Sequence, residues 1–356
     1  MVSILINNYN YARFLPHAIE SALAQTYPAV EVIVVDDGST DKSREVMRGF
    51  GDRIMPIFKP NGGQASAMNV GFAQAQGTYV IFLDADDVLM PDAAQYVVDT
   101  FTAHPELSKL MYRMKVIDAD GEATGAMKPF SRPPTGDLQQ QMIHFPGDAM
   151  WLPTSGNAFS ARVLRQVLPM PEPPFVTCAD FYLCHVVGLY GQVGFLEQVG
   201  AGYRLHGTNN YEVVTRGLDW KLIRTTLVRW HAVHQAMFEQ MHSNNVAQLS
   251  AKLPCRPDEM GSVSYYGFSI ISLKLDPQHH PFKGDTLRSV LTASLQAVAR
   301  RFDATWVMRW VYRAWFLAFY LAPASVARWL AHKWLVPEQR ISFVNVLLSK
   351  LQRRKN

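Results

Sequence analysis

The sequence predicts an α/β fold in which a mixed, mainly parallel sheet is flanked by helices and followed by a C-terminal α-helical extension. Two observations support this prediction. Strand and helix patterns alternate over the first part of the chain, as they do when parallel strands are joined by crossover helices. Beyond residue 215 the apolar residues recur instead three to four positions apart, which is typical of helices.

Four strands and three helices account for the first part of the chain. Apolar, β-branched runs predict the strands, and apolar residues at helical spacing predict the helices. Ser39 or Thr40 is expected to cap the second helix, because a hydroxyl there accepts a backbone N–H. The predicted strands are Val2–Ile6, Glu31–Val35, Ile54–Phe58 and Thr78–Leu83, and the predicted helices are Phe14–Gln25, the segment from the cap to Phe50, and Ala65–Ala75.

The middle of the chain is less regular and the last part is helical. Residues 125–150 contain four prolines, which predicts a long connection or flap. Later segments return to regular patterns. We expect a helix at Phe181–Tyr190, short strands at Gln192–Leu196 and Gly200–Arg204 around a turn, and long helices near 217–241 and 284–300.

Composition and charge indicate a folded globular chain with an unusual end. The chain has 356 residues, of which 48% are hydrophobic and 18% are charged. The first strand is not preceded by a basic segment, so no secretory signal is expected. Residues 300–356 carry a net charge of +9, whereas the whole chain carries +4, so the rest carries −5. A basic tail on an acidic body indicates an anionic partner for the tail.

Five tryptophans lie in this tail among Arg and Lys residues. Its apolar stretch from Val311 to Ala322 is too short to span a bilayer, which takes about 20 apolar residues. Trp and Arg mixed with Leu and Phe suit a helix in the headgroup region of a membrane, and a core helix is the alternative. We therefore expect residues 302–356 to contact an anionic membrane surface, and the protein to be cytoplasmic and peripheral on the inner face of the cell membrane.

The segment Leu83–Asp87 gives the clearest indication of function. It follows the apolar run Tyr79–Phe82, so that a buried strand is expected to end in three carboxylates within four residues. These acids repel one another unless a positive charge lies between them. A divalent cation bound to a diphosphate suits them, because hard cations prefer carboxylate and phosphate oxygens.

Several motifs in a fixed order connect this segment to a known family. Val2–Asn10, Leu23–Thr26, Val34–Asp41 and Asp84–Asp87 together resemble the inverting family-2 nucleotide-sugar glycosyltransferases of GT-A (Rossmann-like) fold. The resemblance covers about residues 1–210. It departs from the family at Asn7-Asn8, where Pro-Thr is more common.

The resemblance implies a catalytic domain at 1–212 and a helical C-terminal region at 213–356. The nucleotide-binding half would be about 1–100 and the acceptor-side half about 101–212. The implied reaction is metal-dependent, inverting transfer of a hexose or related sugar from a nucleotide diphosphate to a hydroxyl of a saccharide acceptor. A lipid-linked acceptor in the assembly of a bacterial surface polysaccharide or glycan is expected, and a nucleic-acid partner is not.

On the donor side, the resemblance places Tyr9 against the nucleobase and Asp37 on the imide of a pyrimidine. This favours uridine or thymidine over guanosine, and a UDP-sugar most of all. Asp84-Ala85-Asp86 is the D-x-D element, with Asp86 on the metal and Asp84 on the ribose or a metal-bound water. The donor-binding residues that we expect are Asn7, Tyr9, Asp37, Asn61, Gln64, Asn69, Asp84, Ala85 and Arg204.

The metal ligands implied by the resemblance are Asp86, Asp84 and His206. His206 lies in Tyr203–Asn209, which resembles the Tyr-Arg-x-His-x-x-Asn segment of the family. Imidazole is a more ordinary ligand for Mn²⁺ than for Mg²⁺, and either ion is expected as the cofactor. A purely structural His206 is the alternative, and whether Arg204 pairs with a phosphate or holds a loop carboxylate stays open.

Asp180 is the expected general base, which takes the proton of the acceptor hydroxyl. The family usually has Glu-Asp before an aromatic residue at this point, whereas this chain has Ala179 in place of the Glu. A helix N-cap is the alternative role for Asp180. Trp151, Ser155 and Gly156 are expected on the acceptor side, although Trp151 suits the core equally well.

Two other classes of protein share part of this pattern. A dinucleotide-dependent oxidoreductase needs a glycine-rich turn after the first strand, and Asn7–Asn10 contains no glycine. A catalytically degenerate nucleotide- or sugar-binding module of the same fold is the alternative that Ala179 leaves open. Release of nucleotide in the presence of an acceptor distinguishes an enzyme from such a module.

Overall fold

The computed structural model describes residues 1–145, 152–207, 209, 218–242 and 260–335. These residues fall into two compact units. The first unit holds residues 1–142, 152–207 and 239–242, and the second holds 143–145, 209, 218–238 and 260–335. The division of the chain into domains at 1–212 and 213–356 stays a prediction.

The first unit alternates strands and helices, as the sequence predicts. Its strands are β1 Val2–Asn8, β2 Val30–Asp37, β3 Met55–Lys59, β4 Tyr79–Asp84, β5 Val88–Leu89, β6 Leu107–Ile117, β7 Ala123–Lys128, β8 Asn157–Ser160 and β9 Gln192–Arg204. Its helices are α1 Leu15–Leu23, α2 Ser43–Gly49, α3 Gln64–Gln74, α4 Ala93–Ala103, α6 Ala161–Val167 and α7 Ala179–Val186, with α5 Gln139–His144 at its boundary.

One sheet contains all nine of these strands. Their order is β3-β2-β1-β4-β8-β6-β9-β5, and β7 pairs with β6. The run from β3 to β4 is parallel, as is the pair β6 and β9, whereas β5, β7 and β8 run antiparallel to their neighbours. The predicted mixed sheet with flanking helices is therefore confirmed.

The parallel strands end together at one edge of the sheet. Asn7 of β1 lies opposite Asp84 of β4, and Asp37 of β2 lies opposite Lys59 of β3. The inner positions of β1 and β4 are buried and, apart from Ser3, apolar, so the polar cluster at this edge begins where the hydrophobic core stops. Ligands of open α/β sheets bind beyond the carboxyl ends of the strands, which makes this edge the candidate site.

The prediction of two short strands, at 192–196 and 200–204, is wrong, because the structure has one continuous strand there, β9. The register against β6 shifts between Leu196, which lies opposite Tyr112, and Val199, which lies opposite Arg113. The polar pair Glu197-Gln198, which resembles a turn in the sequence, is accommodated by this irregularity in a continuous strand.

The predicted cap of α2 is also wrong. The helix begins at Ser43, and its N-cap residue is Lys42. The hydroxyl of Ser39 instead accepts hydrogen bonds from the Asn8 side chain at 3.1 Å and from the backbone N–H of Asn10 at 2.9 Å. Ser39 therefore holds the loop after β1, which is a contact between distant segments that local sequence cannot reveal.

The segment 125–150 contains more regular structure than the predicted connection or flap. Strand β7 continues to Lys128, and helix α5 covers Gln139–His144. Residues 146–150 lie outside the described residues. The prolines at 129, 133 and 134 fall between these two elements, where the backbone N–H is not needed for hydrogen bonds between strands.

The second unit is helical, which confirms the predicted change of pattern. Helix α8 spans Trp220–His242, and its residues up to 238 belong to this unit. The other helices of the unit are α9 Val263–Leu275, α10 Leu287–Arg300, α11 Trp306–Leu321 and α12 Ala324–Leu335. Within the described ranges, no helix combines the length and the apolar character needed to cross a membrane. The cytoplasmic, peripheral location stays a prediction.

A buried histidine in α7 makes the stability of the first unit depend on pH. His185 is 1% exposed, and its Nδ1 lies 2.6 Å from the carbonyl oxygen of Phe181. Burial, with a smaller contribution from the charge of Lys109, lowers the pKa of His185 to about 4. The unfolded chain binds this proton near pH 6.5, so stability is complete above that pH and falls as the pH drops toward 4.

We predict that wild-type protein loses about 2 kcal/mol of unfolding free energy from this group between pH 7.5 and pH 5. The substitution His185→Gln removes the titrating group and should remove that increment, as measured by urea unfolding at both pH values. The matched control is His17→Gln at an exposed position. An identical pH dependence of His185→Gln and wild type would contradict this prediction.

Candidate active site

The site is built around the turn that follows β4. Asp84 is the last residue of β4, and the backbone N–H of Asp87 donates to the carbonyl of Asp84 at 3.1 Å, which closes the turn. The side chain of Asp84 accepts hydrogen bonds from Asn7 and from Gln64, each at 3.1 Å. Strand β1 and helix α3 thus both contact the carboxylate at the end of β4.

The carboxyl groups of this turn are crowded and buried. Burial, followed by the charge of Asp86, raises the pKa of Asp84 to about 7, and the charge of Asp180 adds to this effect. The same two causes, burial and Asp86, raise the pKa of Asp87 well above its usual value. Burial and neighbouring negative charges both disfavour the ionised form of a carboxyl group. The raised pKa values therefore indicate that the surrounding groups do not neutralise the negative charge of this turn.

His206 lies against Asp86. Its Nε2 is 2.9 Å from Oδ2 of Asp86, and both side chains are largely buried. The imidazole ring is enclosed by Phe14, with ring centroids 4.8 Å apart, and by Tyr11 at 5.7 Å. The structure therefore brings together two of the three predicted metal ligands, although β4 and the end of β9 lie far apart in the sequence.

Arg204 has a positioning contact with the turn. It is 2% exposed, and its guanidinium donates from Nε to the carbonyl of Asp86 at 2.7 Å and from Nη1 to the carbonyls of Asp118 and Ala119. Its backbone N–H donates to Oδ1 of Asp87 at 2.8 Å. The guanidinium thus holds loop carbonyls rather than the loop carboxylate that the sequence left open, and its predicted role in donor binding stays a prediction.

The second cluster of donor residues surrounds Asp37. Its carboxylate is 3% exposed, pairs with Lys59, and accepts the backbone N–H groups of Gly62 at 3.0 Å and Gly63 at 2.6 Å. Asn61 donates from its side chain to the carbonyl of Asp37 at 3.0 Å. The contact of Asp37 with a nucleobase stays a prediction, and its present partners fix the loop between β3 and α3.

Lys59 is a site residue that the sequence analysis missed. It ends β3 as Asp37 ends β2, and the two are paired in the parallel register. A lone Lys after an apolar run carries no distinctive motif. The available signal is the common edge of the parallel strands, which predicts that their last polar residues meet.

Tyr9 and Asn69 have contrasting surroundings. Tyr9, just beyond β1, is 46% exposed, so its ring is accessible for stacking. Asn69 both donates to the carbonyl and accepts the N–H of Met170, at 2.9 Å each, and thereby fixes the loop before α7. The predicted role of each in donor binding stays a prediction, as does that of Ala85, which is buried.

Asp180 is the second residue of α7. Its carboxylate accepts the backbone N–H of Phe181 at 2.9 Å and is partly exposed. Cys178 occupies the N-cap position, so the N-cap alternative for Asp180 is wrong. The influence of Asp180 on the pKa of Asp84 shows that the expected base lies close to the D-x-D turn.

Gln64 joins the two parts of the site. Its side-chain nitrogen donates to Asp84 at 3.1 Å, and its side-chain oxygen accepts the backbone N–H of Ala179 at 3.0 Å. One amide at the start of α3 therefore spaces the D-x-D turn from the helix that carries Asp180. The sequence analysis predicted Gln64 at the donor but did not predict this bridge, because both partners are distant in the sequence.

Of the predicted acceptor-side residues, Ser155 contacts the backbone of the D-x-D turn. Ser155 is fully buried, and its hydroxyl accepts the backbone N–H of Asp84 at 3.0 Å. A Cβ at Gly156 would lie 2.7 Å from the sulfur of Met114, so a side chain there would force that methionine to shift. Their role toward an acceptor stays a prediction, and Trp151 lies outside the described residues.

The donor chemistry of the turn suits a divalent cation. Among the residues that the structure describes, no group of three or more His, Cys, Asp and Glu side chains is gathered closely enough to enclose a metal ion. However, Oδ2 of Asp87 is buried without a hydrogen-bond partner in the described part of the chain. Carboxylate oxygens and one imidazole are ligands that Mn²⁺ accepts, so the residue types suit the ion, and metal dependence stays a prediction.

Comparison with known proteins agrees with this geometry. Residues 3–162 match the family model described as Glycosyl transferase family 2. Residues 3–162, a little under half of the chain, are therefore similar to a family 2 glycosyltransferase domain. Helix α7 and the end of β9 lie beyond the matched segment, so the roles of Asp180 and His206 stay predictions.

Several relatives are named as glycosyltransferases. An uncharacterized glycosyltransferase of Nostoc is 37% identical over 214 residues, which are 59% of this chain and 66% of the relative. One of Rickettsia prowazekii is 36% identical over 133 residues, 37% of this chain and 42% of the relative. The chondroitin synthase of Pasteurella multocida is 38% identical over 124 residues, 34% of this chain and 13% of the synthase. The alignments thus span less than two thirds of these relatives.

The fold also resembles a solved structure. Staphylococcus aureus TarS 1–349, determined in complex with UDP, has a TM-score of 0.55 and 15% sequence identity, covering 96% of this chain and 91% of that chain. This likeness shows the fold alone and confirms the predicted GT-A fold.

We predict that Arg204→Lys destabilises the protein by about 2–4 kcal/mol. A lysine cannot reproduce the three carbonyl contacts of the guanidinium, and it leaves buried acceptors without a donor. The measurement is the free energy of unfolding in urea. Arg113→Lys, whose guanidinium contacts Glu197 and the carbonyl of Pro129 near the surface, is the matched control and should lose less. Equal losses in the two variants would count against the positioning role of Arg204.

Proposed function

We propose that this protein transfers a sugar from a nucleotide diphosphate donor, a UDP-sugar, to a hydroxyl of a saccharide acceptor with inversion at the anomeric carbon. One observation carries the proposal. The D-x-D carboxylates and Asp180 lie close together at the end of a family 2 glycosyltransferase sheet, bridged by Gln64. An inverting transfer needs these two groups, one at the leaving diphosphate and the other at the attacking hydroxyl.

The donor would occupy the edge where β1 to β4 end. Tyr9 offers an exposed ring for the nucleobase, and the loop held by Asp37 supplies the neighbouring wall. Lys59 adds a cation beside that loop, and cations favour a diphosphate. The complex of TarS with UDP supports UDP as the first nucleotide to test.

The metal belongs to the same proposal. Asp86, Asp84 and His206 would hold Mn²⁺ or Mg²⁺, which when bound supplies positive charge to the leaving diphosphate. The chain's own contribution is to aim these ligands. Arg204 holds the backbone of Asp86, Ser155 holds the N–H of Asp84, and the aromatic rings around His206 fix its orientation.

Asp180 would act as the general base. Its carboxylate is partly exposed, whereas Asp84 is held within the site by Asn7 and Gln64. The proton of the acceptor hydroxyl would pass to Asp180 as the oxygen attacks the anomeric carbon, and the bond to the diphosphate would break on the opposite face.

The acceptor part of the proposal rests on names of relatives. The synthases of Pasteurella multocida that match part of this chain are named for chondroitin and hyaluronan, which supports a saccharide acceptor. Assembly of a bacterial surface polysaccharide or glycan on a lipid-linked acceptor is the corresponding role for this chain.

We predict that Asp180→Asn lowers the rate of sugar transfer by about 10³-fold, because an amide cannot take the acceptor proton. Affinity for UDP should not change, since the substitution is isosteric and removes no donor contact. The rate is measured as UDP release from a UDP-sugar in the presence of saccharide acceptors, and the anomeric configuration of the product by NMR.

The matched control for this experiment is Asp99→Asn on the exposed side of α4. Wild-type turnover in Asp180→Asn would remove Asp180 as the base. A wild-type protein that binds UDP-sugars but releases no UDP with any acceptor would favour the binding-module alternative suggested by Ala179.

A further inference from the structure

Helix α11 exposes a continuous apolar face in the second unit. At 100° per residue, its exposed positions fall within an arc of about 120°. Trp306 is 68% exposed, Trp310 is 61% exposed and Leu321 is 77% exposed. We call this surface the Trp face, and it consists of Trp306, Trp310, Ala314, Leu317, Ala318 and Leu321.

The opposite side of the same helix forms the core of the second unit. Trp315, Phe316 and Phe319 are buried, and the ring of Trp315 stacks on that of Trp334 with centroids 4.1 Å apart. The ammonium group of Lys274 donates to the carbonyls of Phe319 and Tyr320 near the C-terminal end of α11. The helix is thus anchored by one apolar side while a second apolar side faces outward.

A helix that is apolar on both sides needs a second apolar environment. Scattered exposed apolar residues are ordinary, but a contiguous row of two tryptophans and two leucines indicates a contact surface. Helix α12 adds Trp329, which is 54% exposed. The partner must therefore accept large aromatic side chains.

The charges beside the Trp face indicate what that partner is. Residues 306–335 contain Arg309, Arg313, Arg328 and Lys333 and no Asp or Glu. On a helical projection, Arg309 and Arg313 border the Trp face on the side of Trp306. Tryptophan at a polar boundary, with arginine alongside and no acid, is typical of a helix at an anionic headgroup layer.

We propose that the Trp face binds an anionic lipid surface, with α11 lying in the plane of the headgroups. The Trp and Leu side chains enter the boundary of the acyl chains, and Arg309 and Arg313 remain at the level of the lipid phosphates. The helix has 16 residues, about 24 Å, which suits a position along the surface. This inference goes beyond the proposed glycosyl transfer and does not depend on it.

The test measures co-sedimentation of the full chain with vesicles of phosphatidylglycerol and phosphatidylethanolamine, and with neutral phosphatidylcholine vesicles. Wild type should bind the anionic vesicles more strongly, and less so as salt is raised. Trp310→Glu/Leu317→Glu should weaken this binding at least about tenfold. Gln296→Glu/Ala299→Glu, on the exposed side of α10, adds the same two negative charges elsewhere and should bind nearly as wild type.

A second variant separates charge from apolar contact. Arg309→Gln/Arg313→Gln should lose about tenfold in affinity for anionic vesicles while affinity for neutral vesicles is unchanged. UDP binding should be the same in every variant, which keeps this test distinct from that of the proposed function. Quenching of tryptophan fluorescence by brominated lipids tests wild type directly, whether or not a variant folds.

Several results would overturn the proposal. They are failure of wild type to bind anionic vesicles, equal binding by wild type and Trp310→Glu/Leu317→Glu, and absence of quenching by brominated lipids. Concentration-dependent self-association that Trp310→Glu/Leu317→Glu abolishes, without vesicle binding, would assign the face to a second copy of this chain. If the protein bound vesicles only after truncation following Leu335, the Trp face would be assigned to contact with the residues beyond Leu335.

Discussion

The crowding of carboxyl groups after β4 is the constraint on which the rest of the first unit depends. Asp84, Asp86 and Asp87 lie within four residues, and burial makes their mutual repulsion more costly than it would be in water. Much of the surrounding polar structure holds this turn. Asn7 and Gln64 bind its first carboxylate, Arg204 binds its backbone, and His206 lies against its outermost acid.

The parallel topology of the first four strands explains why distant segments meet at this turn. The parallel strands bring Asn7, Asp37, Lys59 and Asp84 together, because their registers end at the same level. Gln64 then links this edge to α7. The side chain of Gln64 is thus one of the contacts that set the distance between the D-x-D turn and the proposed base.

Local pattern was sufficient to predict the strands and helices of the first 84 residues, since each buried strand ends in a polar loop. It was not sufficient to predict the partner of the Ser39 hydroxyl, which is the distant side chain of Asn8. It also failed at Glu197-Gln198, which lie in a continuous strand at a shift in register rather than in a turn. The residue types of the site were predictable from motifs. The partners of Arg204 and Lys59 were not, because they depend on strand register and on a guanidinium reaching backbone carbonyls.

In the proposed site, a divalent cation completes the carboxylate turn together with a nucleoside diphosphate. Calorimetric titration of UDP, with and without Mn²⁺, into wild type, Asp86→Ala and the exposed control Asp99→Ala tests it most directly. We expect Mn²⁺-dependent binding of UDP in wild type and Asp99→Ala, and its loss in Asp86→Ala. Equal UDP binding by wild type and Asp86→Ala, unaffected by Mn²⁺, would contradict it.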